Sequence, residues 1–224
     1  MAYRSRRPPK TTLRSRRPRR RMLRRKIYRN RRVRRQNVHL FKRSFATTIS
    51  ILKSANTAGC NFFSLNQLPN YGEFTALFDQ YKVNGVKYEF IPRFNSIDQA
   101  TATGGEFYTV IDRCDNDAPT SLNQMLEYQS MRKTPLTRKH TRYFKPGVPT
   151  GVYANVDDPL NAYPLASRVT LSPWLSTTDG ENASQVPSSI EHLGLKYWCS
   201  ATNASANTTV DVVCTAYLAM RTVR

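Results

Sequence analysis

Apolar residues recur at every second position in six stretches of the chain, which is the spacing of half-buried β-strands. The longest stretch runs from Val210 to Met220 and keeps one apolar phase throughout. The first stretch runs from Ser44 to Ile51, and Pro92 closes the second one. The predicted strands are residues 44–51, 86–90, 107–111, 138–144, 195–201 and 210–220.

The connections between these strands are long and polar. Residues 148–169 and 176–190 are rich in Pro, Asn, Asp and Ser, which predicts loops. One connection predicts a helix over Ser121–Arg132, with Thr120 as its N-cap and Pro135 soon after its end. The residues with helical spacing there are Leu122, Met125, Leu126 and Gln129.

Many strands, little helix and long loops favour an all-β sandwich or barrel. Strands that are far apart in the sequence must pair, so a Greek-key or jelly-roll arrangement is favoured over a meander. The periodicity alone does not choose between those two topologies.

The charge of the chain is divided unevenly. Of the 35 Lys and Arg residues, 20 lie between Met1 and Arg43, and the first acidic residue is Glu73. From Ser44 to Arg224 the remaining 15 basic residues are balanced by all 15 acidic residues, so the formal charge of +20 belongs to the N-terminal segment. We therefore predict a basic arm, residues 1–43, and one folded domain, residues 44–224. The arm is expected to be disordered until it meets an anion, because like charges repel and little apolar surface is available for burial.

Arginine dominates the arm, and its planar fork binds phosphate in pairs of hydrogen bonds and stacks on bases. This composition predicts binding of a polyanion. The predicted nucleic-acid-binding residues of the arm are Arg4, Arg6, Arg7, Arg14, Arg16, Arg17, Arg19, Arg20, Arg21, Arg24, Arg25, Lys26, Arg29, Arg31, Arg32, Arg34 and Arg35.

Aromatic rings are spaced among the arginines of the arm. They either stack on exposed bases, which favours single strands over duplex, or act as spacers in a solvated tail. These residues are Tyr3, Tyr28, His39 and Phe41.

The arginine blocks also match a nuclear localisation signal. An acid-free, Arg-rich N-terminus is similar to a mitochondrial presequence as well, but unbroken arginine blocks without an apolar face favour nuclear import. The predicted signal comprises Arg16, Arg17, Arg19, Arg20, Arg21, Arg24, Arg25 and Lys26.

A second basic cluster falls on the predicted strand 138–144. Arg138, Lys139 and Arg142, with His140 and Lys145, either line a surface that faces nucleic acid or belong to a solvent-facing or intersubunit sheet face. We include Arg138, Lys139 and Arg142 among the predicted nucleic-acid-binding residues.

Little in the sequence favours catalysis or metal binding. The three histidines are far apart and not near paired cysteines, and no nucleophile motif or phosphate-binding glycine loop is present. The acidic pairs Asp157–Asp158 and Asp115–Asp117 fit turn chemistry better than a divalent cation site. Cys199 and Cys214 fall on apolar strand phases and are expected to be reduced core thiols. We predict a protein that is not an enzyme and that needs no cofactor or metal.

Four segments, in order along the chain, resemble the capsid proteins of circoviruses. The run from Leu77 to Pro92 (LFDQYKVNGVKYEFIP) is similar to the aromatic segment and "V-x-V-x-F-x-P" strand of that family, and Val110–Asp112 is similar to the next strand with its acidic end. His140–Pro146 (HTRYFKP) resembles the family's "H-S-R-Y-F-x-P" segment, and His192–Leu195 (HLGL) resembles its "H-V-G-L" element. The arginine blocks fit the same pattern.

The resemblance implies a single viral jelly roll of two packed antiparallel four-stranded sheets. It implies a structural protein whose identical subunits form a T=1 icosahedral shell of 60 copies and package circular single-stranded DNA, so that the protein is found in the virion. It also implies nuclear import through an import receptor, and attachment to a host cell-surface receptor or glycosaminoglycan.

Two other hypotheses remain from the residues alone. One is a non-viral, basic-tailed nucleic-acid-binding module, ribosomal or organellar, although such domains usually carry basic patches on the fold itself. The other is a nuclease with a targeting tail, which needs a clustered acidic or histidine site.

Overall fold

The structure, a computed structural model, describes residues 38–93, 105–153, 164–177, 187–202 and 207–222. No helix in these ranges is long and apolar enough to cross a membrane. The described chain is built mainly of strands, with two short α-helices. The strands are β1 (His39–Ile51), β2 (Thr57–Phe63), β3 (Gln80–Pro92), β4 (Glu106–Ile111), β5 (Arg132–Pro135), β6 (His140–Phe144), β7 (Gly147–Tyr153), β8 (Pro164–Leu171), β9 (Leu175–Ser176), β10 (His192–Cys199) and β11 (Thr208–Arg221), and the helices are α1 (Tyr71–Leu77) and α2 (Leu122–Leu126).

The strands form two antiparallel sheets. In sheet A the order is β1-β11-β3-β6, with β9 added beside β3; in sheet B the order is β5-β4-β10-β7-β8, with β2 added beside β10. Eight strands make the central fold: β1 pairs with β11, β2 with β10, β3 with β6, and β4 with β5. In chain order, the first of these eight strands pairs with the last, the second with the seventh, the third with the sixth and the fourth with the fifth. This is the strand pairing of a jelly roll. The predicted all-β jelly roll is confirmed, with β7, β8 and β9 added to its two four-stranded sheets.

The main core lies between the two sheets. Sheet A contributes inward-facing residues at alternate positions, such as Tyr88 and Phe90 of β3, and sheet B contributes Phe107 and Leu195. Gly194 of β10 faces Phe144 of β6, and a Cβ at this position would overlap the Phe144 ring, so glycine allows the two sheets to approach closely here. Cys199 and Cys214 are fully buried and unpaired, as predicted for core thiols.

The prediction of loops over 148–169 is partly wrong, because β7 and β8 form a hairpin whose strands pair from Gly147–Leu171 to Tyr153–Pro164. Pro149 favours a loop in the sequence, because proline has no amide hydrogen to donate to a neighbouring strand. Strand β7 pairs with β8 along one edge, but along its other edge it pairs with β10 only at Gly147. Pro149 therefore lies beyond the point where β7 needs an amide donor for β10. Strands β2 and β5, which lack a clear alternation, were also missed.

The predicted helix at 121–132 is present but short. Ser121, rather than Thr120, is its N-cap, and the Ser121 hydroxyl accepts a hydrogen bond from the Gln124 amide at 3.3 Å. Helix α2 ends at Leu126. The Leu126 side chain is half exposed because only the Met125 side of the helix is buried against sheet B.

The folded domain begins earlier than the charge pattern predicts. Strand β1 starts at His39, and its pairing with β11 extends to the register His39–Met220. Residues 39–43 therefore belong to the first strand rather than to the arm. In particular, Phe41 packs against Phe74 and Phe78. Phe41 is therefore neither a base-stacking residue of the arm nor a spacer in a solvated tail.

Candidate nucleic-acid interface

One face of sheet A points away from sheet B and carries, at one end, cations that form no ion pair with any residue the structure describes. Lys42 of β1 lies opposite Tyr217 of β11, and Lys82 of β3 lies opposite Ala219. These residues alternate with the inward-facing Tyr81 and Val83, so they share the outer face of the sheet. We call this surface, made by Lys42, Lys82 and Arg221, the basic face.

The acidic groups of the same sheet face lie toward its other end. Glu89 is paired with Lys87 at 3.0 Å and also with Lys139, while Asp211 is paired with Arg93 at 2.6 Å. These contacts lower the pKa of both carboxyl groups, chiefly through hydrogen bonds from Lys139 to Glu89 and from Arg93 to Asp211. The positive charge of the face is therefore concentrated at the end where β1 begins.

Arg138 and Lys139 lie in the turn between β5 and β6, not on the strand predicted for 138–144, which begins at His140. The Arg138 amide donates to the Pro135 carbonyl at 3.0 Å, and both side chains are exposed. Lys139 is neutralised in part by Glu89, so Arg138 carries the less screened charge of the two.

Arg142 is 4% exposed and points into the subunit. Its guanidinium donates to the Ser130 carbonyl at 2.6 Å, and burial, followed by the charge of Arg132, lowers the pKa of Arg142 to about 10. The alternation of β6 places His140, Arg142 and Phe144 on the buried phase and Tyr143 outside. This burial removes Arg142 from the residues for which we propose contact with nucleic acid. The basic residues around β6 do not indicate which phase of the strand faces inward.

His140 and His192, both singled out by their motifs, bridge the two sheets. The ring of His140 makes hydrogen bonds to the Thr109 hydroxyl at 2.7 Å and to the Thr134 hydroxyl at 3.0 Å. His192 Nε2 lies 3.4 Å from the hydroxyl of Tyr81. Burial is the main reason that the pKa of each histidine falls to about 4, with Arg142 and Arg132 adding to the effect at His140.

The fold neutralises an internal cation that the pattern of the sequence does not reveal. Lys196 of β10 is buried and pairs with Asp112 at 3.0 Å and with Asp115. Burial disfavours its charge, but the hydrogen bonds to Asp115 and Asp112 outweigh burial and raise the pKa of the ammonium. Asp115 also accepts from the Asp117 amide at 3.0 Å, which is the turn chemistry predicted for this acidic pair.

The large aromatic side chains of the folded domain divide between core and surface. Phe74 is buried in the main core, Phe78 packs against it, and Trp198 is 9% exposed in a second cluster on sheet B. Tyr71 is exposed. Trp174 is half-buried against cations of sheet A.

The remaining predicted site residues, Arg4 to Arg35, lie outside the described residues, as does the pair Asp157–Asp158. Within the described ranges, no three His, Cys, Asp or Glu side chains are arranged to hold a metal ion.

A family model for the circovirus capsid protein matches residues 10–224. The chain belongs to the circovirus capsid protein family. It is therefore a structural capsid protein and a component of the virion. The tailed nucleic-acid-binding module and the nuclease are thereby left without support. A comparison with curated proteins gives no match.

Solved structures agree with this assignment in their fold. The chain is similar to the BFDV capsid protein solved as a 60-mer, with a TM-score of 0.64 and 14% identity over 83% of this chain and 95% of that chain. The decameric BFDV capsid protein gives a TM-score of 0.54 and 13% identity over 82% of this chain and 99% of that one. The tobacco necrosis virus protein gives a TM-score of 0.52 and 12% identity over 83% and 96%.

Proposed function

We propose that this capsid protein forms a T=1 shell of sixty copies and packages circular single-stranded DNA with its Arg-rich arm. The division of charge carries the proposal: 20 cationic residues precede Ser44, while the rest of the chain has equal numbers of basic and acidic residues. The BFDV capsid protein, which has a similar fold, is described as a 60-mer, and this supports the same number here.

The neutral domain suits close packing of identical copies. Sixty domains that each carried a charge of +20 would repel one another strongly, whereas neutral domains can associate through apolar and loop contacts. The arms concentrate the cationic charge where the genome can neutralise it. Binding then releases condensed counterions from the phosphates, so it needs no particular sequence and weakens as salt rises.

The residues proposed to contact DNA are the sixteen arginines and one lysine of the arm named above, together with Arg138 and Lys139. The basic face adds cations on the folded domain. Its position supports this role, because the arm is joined covalently to β1 at the same end of sheet A.

We extend the proposal to nuclear import and to attachment to a host cell-surface receptor or glycosaminoglycan, on the basis of family membership. The block from Arg16 to Lys26 binds an import receptor in the free subunit and DNA in the assembled one. Deletion of residues 1–35 is expected to abolish nuclear entry of a fluorescent fusion, while deletion of residues 1–11, which spares that block, is expected to preserve it. Unchanged entry of the fusion without residues 1–35 would contradict the signal.

The test of the main proposal is negative-stain microscopy of the purified chain, with absorbance at 260 and 280 nm before and after nuclease treatment. Uniform small round shells that hold nuclease-protected nucleic acid are expected. A small monomer or dimer that binds DNA in low salt and releases it in high salt would refute shell formation.

A further inference from the structure

A tryptophan lies at the cationic end of the basic face and is flanked by two cations. The guanidinium carbon of Arg221 is 4.4 Å from the centre of the Trp174 ring, and the Lys82 ammonium is 5.9 Å from it. Trp174 directly precedes β9, which pairs with the first residues of β3 through Leu175–Tyr81 and Ser176–Gln80. Three segments that are distant in the sequence therefore meet here.

The fold holds the guanidinium of Arg221 in place without neutralising it. Gln80 accepts two hydrogen bonds from this side chain through one amide oxygen, at 2.9 Å from Nε and 2.7 Å from Nη2. An amide and an aromatic face orient a cation but leave its net charge intact. Neither Arg221 nor Lys82 is among the ion pairs formed within the described residues.

This arrangement differs from those of the other deeply placed cations. Lys196 is neutralised by two aspartates, and the Arg142 guanidinium is buried against a carbonyl. Arg221, Lys82 and Trp174 are instead all partly accessible to solvent. A pre-oriented guanidinium, an ammonium and an indole together match the chemistry of a nucleotide, since the cations suit a phosphate and the aromatic and guanidinium planes suit an unpaired base.

We propose that Trp174, Arg221 and Lys82 form a nucleotide-binding platform on the folded domain, which takes one unpaired base and its phosphate from single-stranded nucleic acid. The proposal rests on the proposed packaging function and adds a defined contact to the sequence-independent binding by the arm. Strand β1, to which the arm is joined, begins at His39, and His39 pairs with Met220, the neighbour of Arg221. A strand of DNA held by the arm is thus brought to this end of sheet A by covalent connection.

The intrinsic fluorescence of Trp174 reports on the platform directly. The other tryptophan, Trp198, lies buried in the second core cluster of sheet B and serves as an internal background. In the full-length protein, titration with oligo(dT) is expected to quench the fluorescence. An oligonucleotide of the same length that lacks bases is expected to bind without comparable quenching, because it has nothing to stack.

Two variants and one matched control test the residues. Arg221→Gln is expected to shift the midpoint of the quenching titration to an at least ~5-fold higher oligo(dT) concentration, and Trp174→Leu is expected to remove the quenching and weaken oligo(dT) binding by a similar factor, since one stacked base is lost. Arg93→Gln removes the same charge from the opposite end of sheet A and is expected to change the midpoint by less than about 2-fold. Circular dichroism of each variant confirms that the fold is retained.

The outcomes separate this proposal from the packaging function. If the wild-type protein binds oligo(dT) but Trp174 is not quenched, or if Arg221→Gln behaves like Arg93→Gln, the platform is refuted and packaging by the arm stands. Equal quenching by heparin and by the base-free oligonucleotide would reduce the site to a polyanion patch and refute base recognition. If the wild-type protein does not bind oligo(dT) at all, the proposed function fails together with the platform.

Discussion

The two sheets of the jelly roll use their outer faces in opposite ways. Sheet A leaves Lys42, Lys82 and Arg221 at least partly exposed at one end of its outer face, and none of the three forms an ion pair within the described residues. Sheet B covers its outer face with α2 and the chain around it, which bury Trp198 and Met125. A cation on the outer face of sheet A, such as Lys82, can therefore meet an external anion, whereas the buried cation of sheet B, Lys196, already has two internal ones.

The difference has an energetic consequence. In sheet A the long strands β3 and β11, of 13 and 14 residues, turn almost only apolar side chains inward, so this part of the sheet is stabilised mainly by apolar burial. Sheet B consists of shorter strands and includes buried polar groups such as Thr109, Asp112 and Lys196. Its stability depends on a complete set of partners, because an unpaired buried charge is costly.

The largest effect is therefore expected on sheet B. Lys196→Met leaves Asp112 buried without its cation and is expected to lower the free energy of unfolding by about 3–5 kcal/mol. Urea denaturation of the dissociated subunit measures it. Lys87→Met, which removes a half-exposed lysine whose partner Glu89 keeps Lys139, is the matched control and is expected to cost less than about 1 kcal/mol. An equal cost for the two variants would contradict the contrast between the sheets.

On sheet A the corresponding loss comes from a cavity. Leu218 of β11 is 1% exposed in the main core, and Leu218→Ala is expected to lower the free energy of unfolding by about 3 kcal/mol. Val213→Ala, on the half-exposed outer phase of the same strand, is expected to cost less than about 1 kcal/mol. If both substitutions gave the same change in urea denaturation, apolar burial would not be what distinguishes the two faces of sheet A.

Long alternating strands were predictable from sequence, and irregular or ionic features were not. The alternation of β11 identified the inward residues from Val210 to Met220, because one buried face imposes a period of two. Strand β10 is buried on both faces, so Lys196 falls at a position that periodicity alone would place in solvent. Its partners, Asp112 and Asp115, lie about eighty residues away along the chain, and only the fold brings them together.

The same limit applies to the candidate interface. The concentration of arginine in the arm is a local property and was visible directly. The platform of Trp174, Arg221 and Lys82 instead depends on two pairings between distant strands, β3 with β11 and β3 with β9. The basic residues around β6 predicted a single surface. The alternation of β6 instead turns Arg142 inward, while Arg138 and Lys139 lie in the turn that precedes the strand. Side-chain direction was the missing information.

A third prediction concerns the seam between the sheets, where His140 and His192 are buried as neutral rings. Their pKa values fall from 6.5 to about 4 on folding, so between these values the unfolded chain binds protons that the native chain does not. Stability is fully present above about pH 6.5 and is lost as the pH falls toward 4, by on the order of 2 kcal/mol per histidine.

Urea denaturation at a series of pH values from 7.5 to 5 measures this loss. The double variant His140→Gln, His192→Gln is expected to be less stable at pH 7.5 but to show a flatter dependence over this range. Asp112 does not confound the window, because hydrogen bonds from the Cys114 amide, Tyr128 and Lys196 outweigh its burial and lower its pKa to about 2. A double variant with the wild-type slope would exclude the histidines as its source.

The smallest effect is expected at the surface ion pair of Arg93 and Asp211, on the open face of sheet A. The two side chains are 58% and 34% exposed and 2.6 Å apart, so water screens their attraction. Arg93→Gln is expected to lower the free energy of unfolding less than any of the variants above, and to lose even this effect in high salt. A loss as large as that of Lys196→Met would mean that sheet A also relies on ion pairs. In that case its outer face would be stabilised by internal neutralisation, and the argument that its cations are available to an external polyanion would fail.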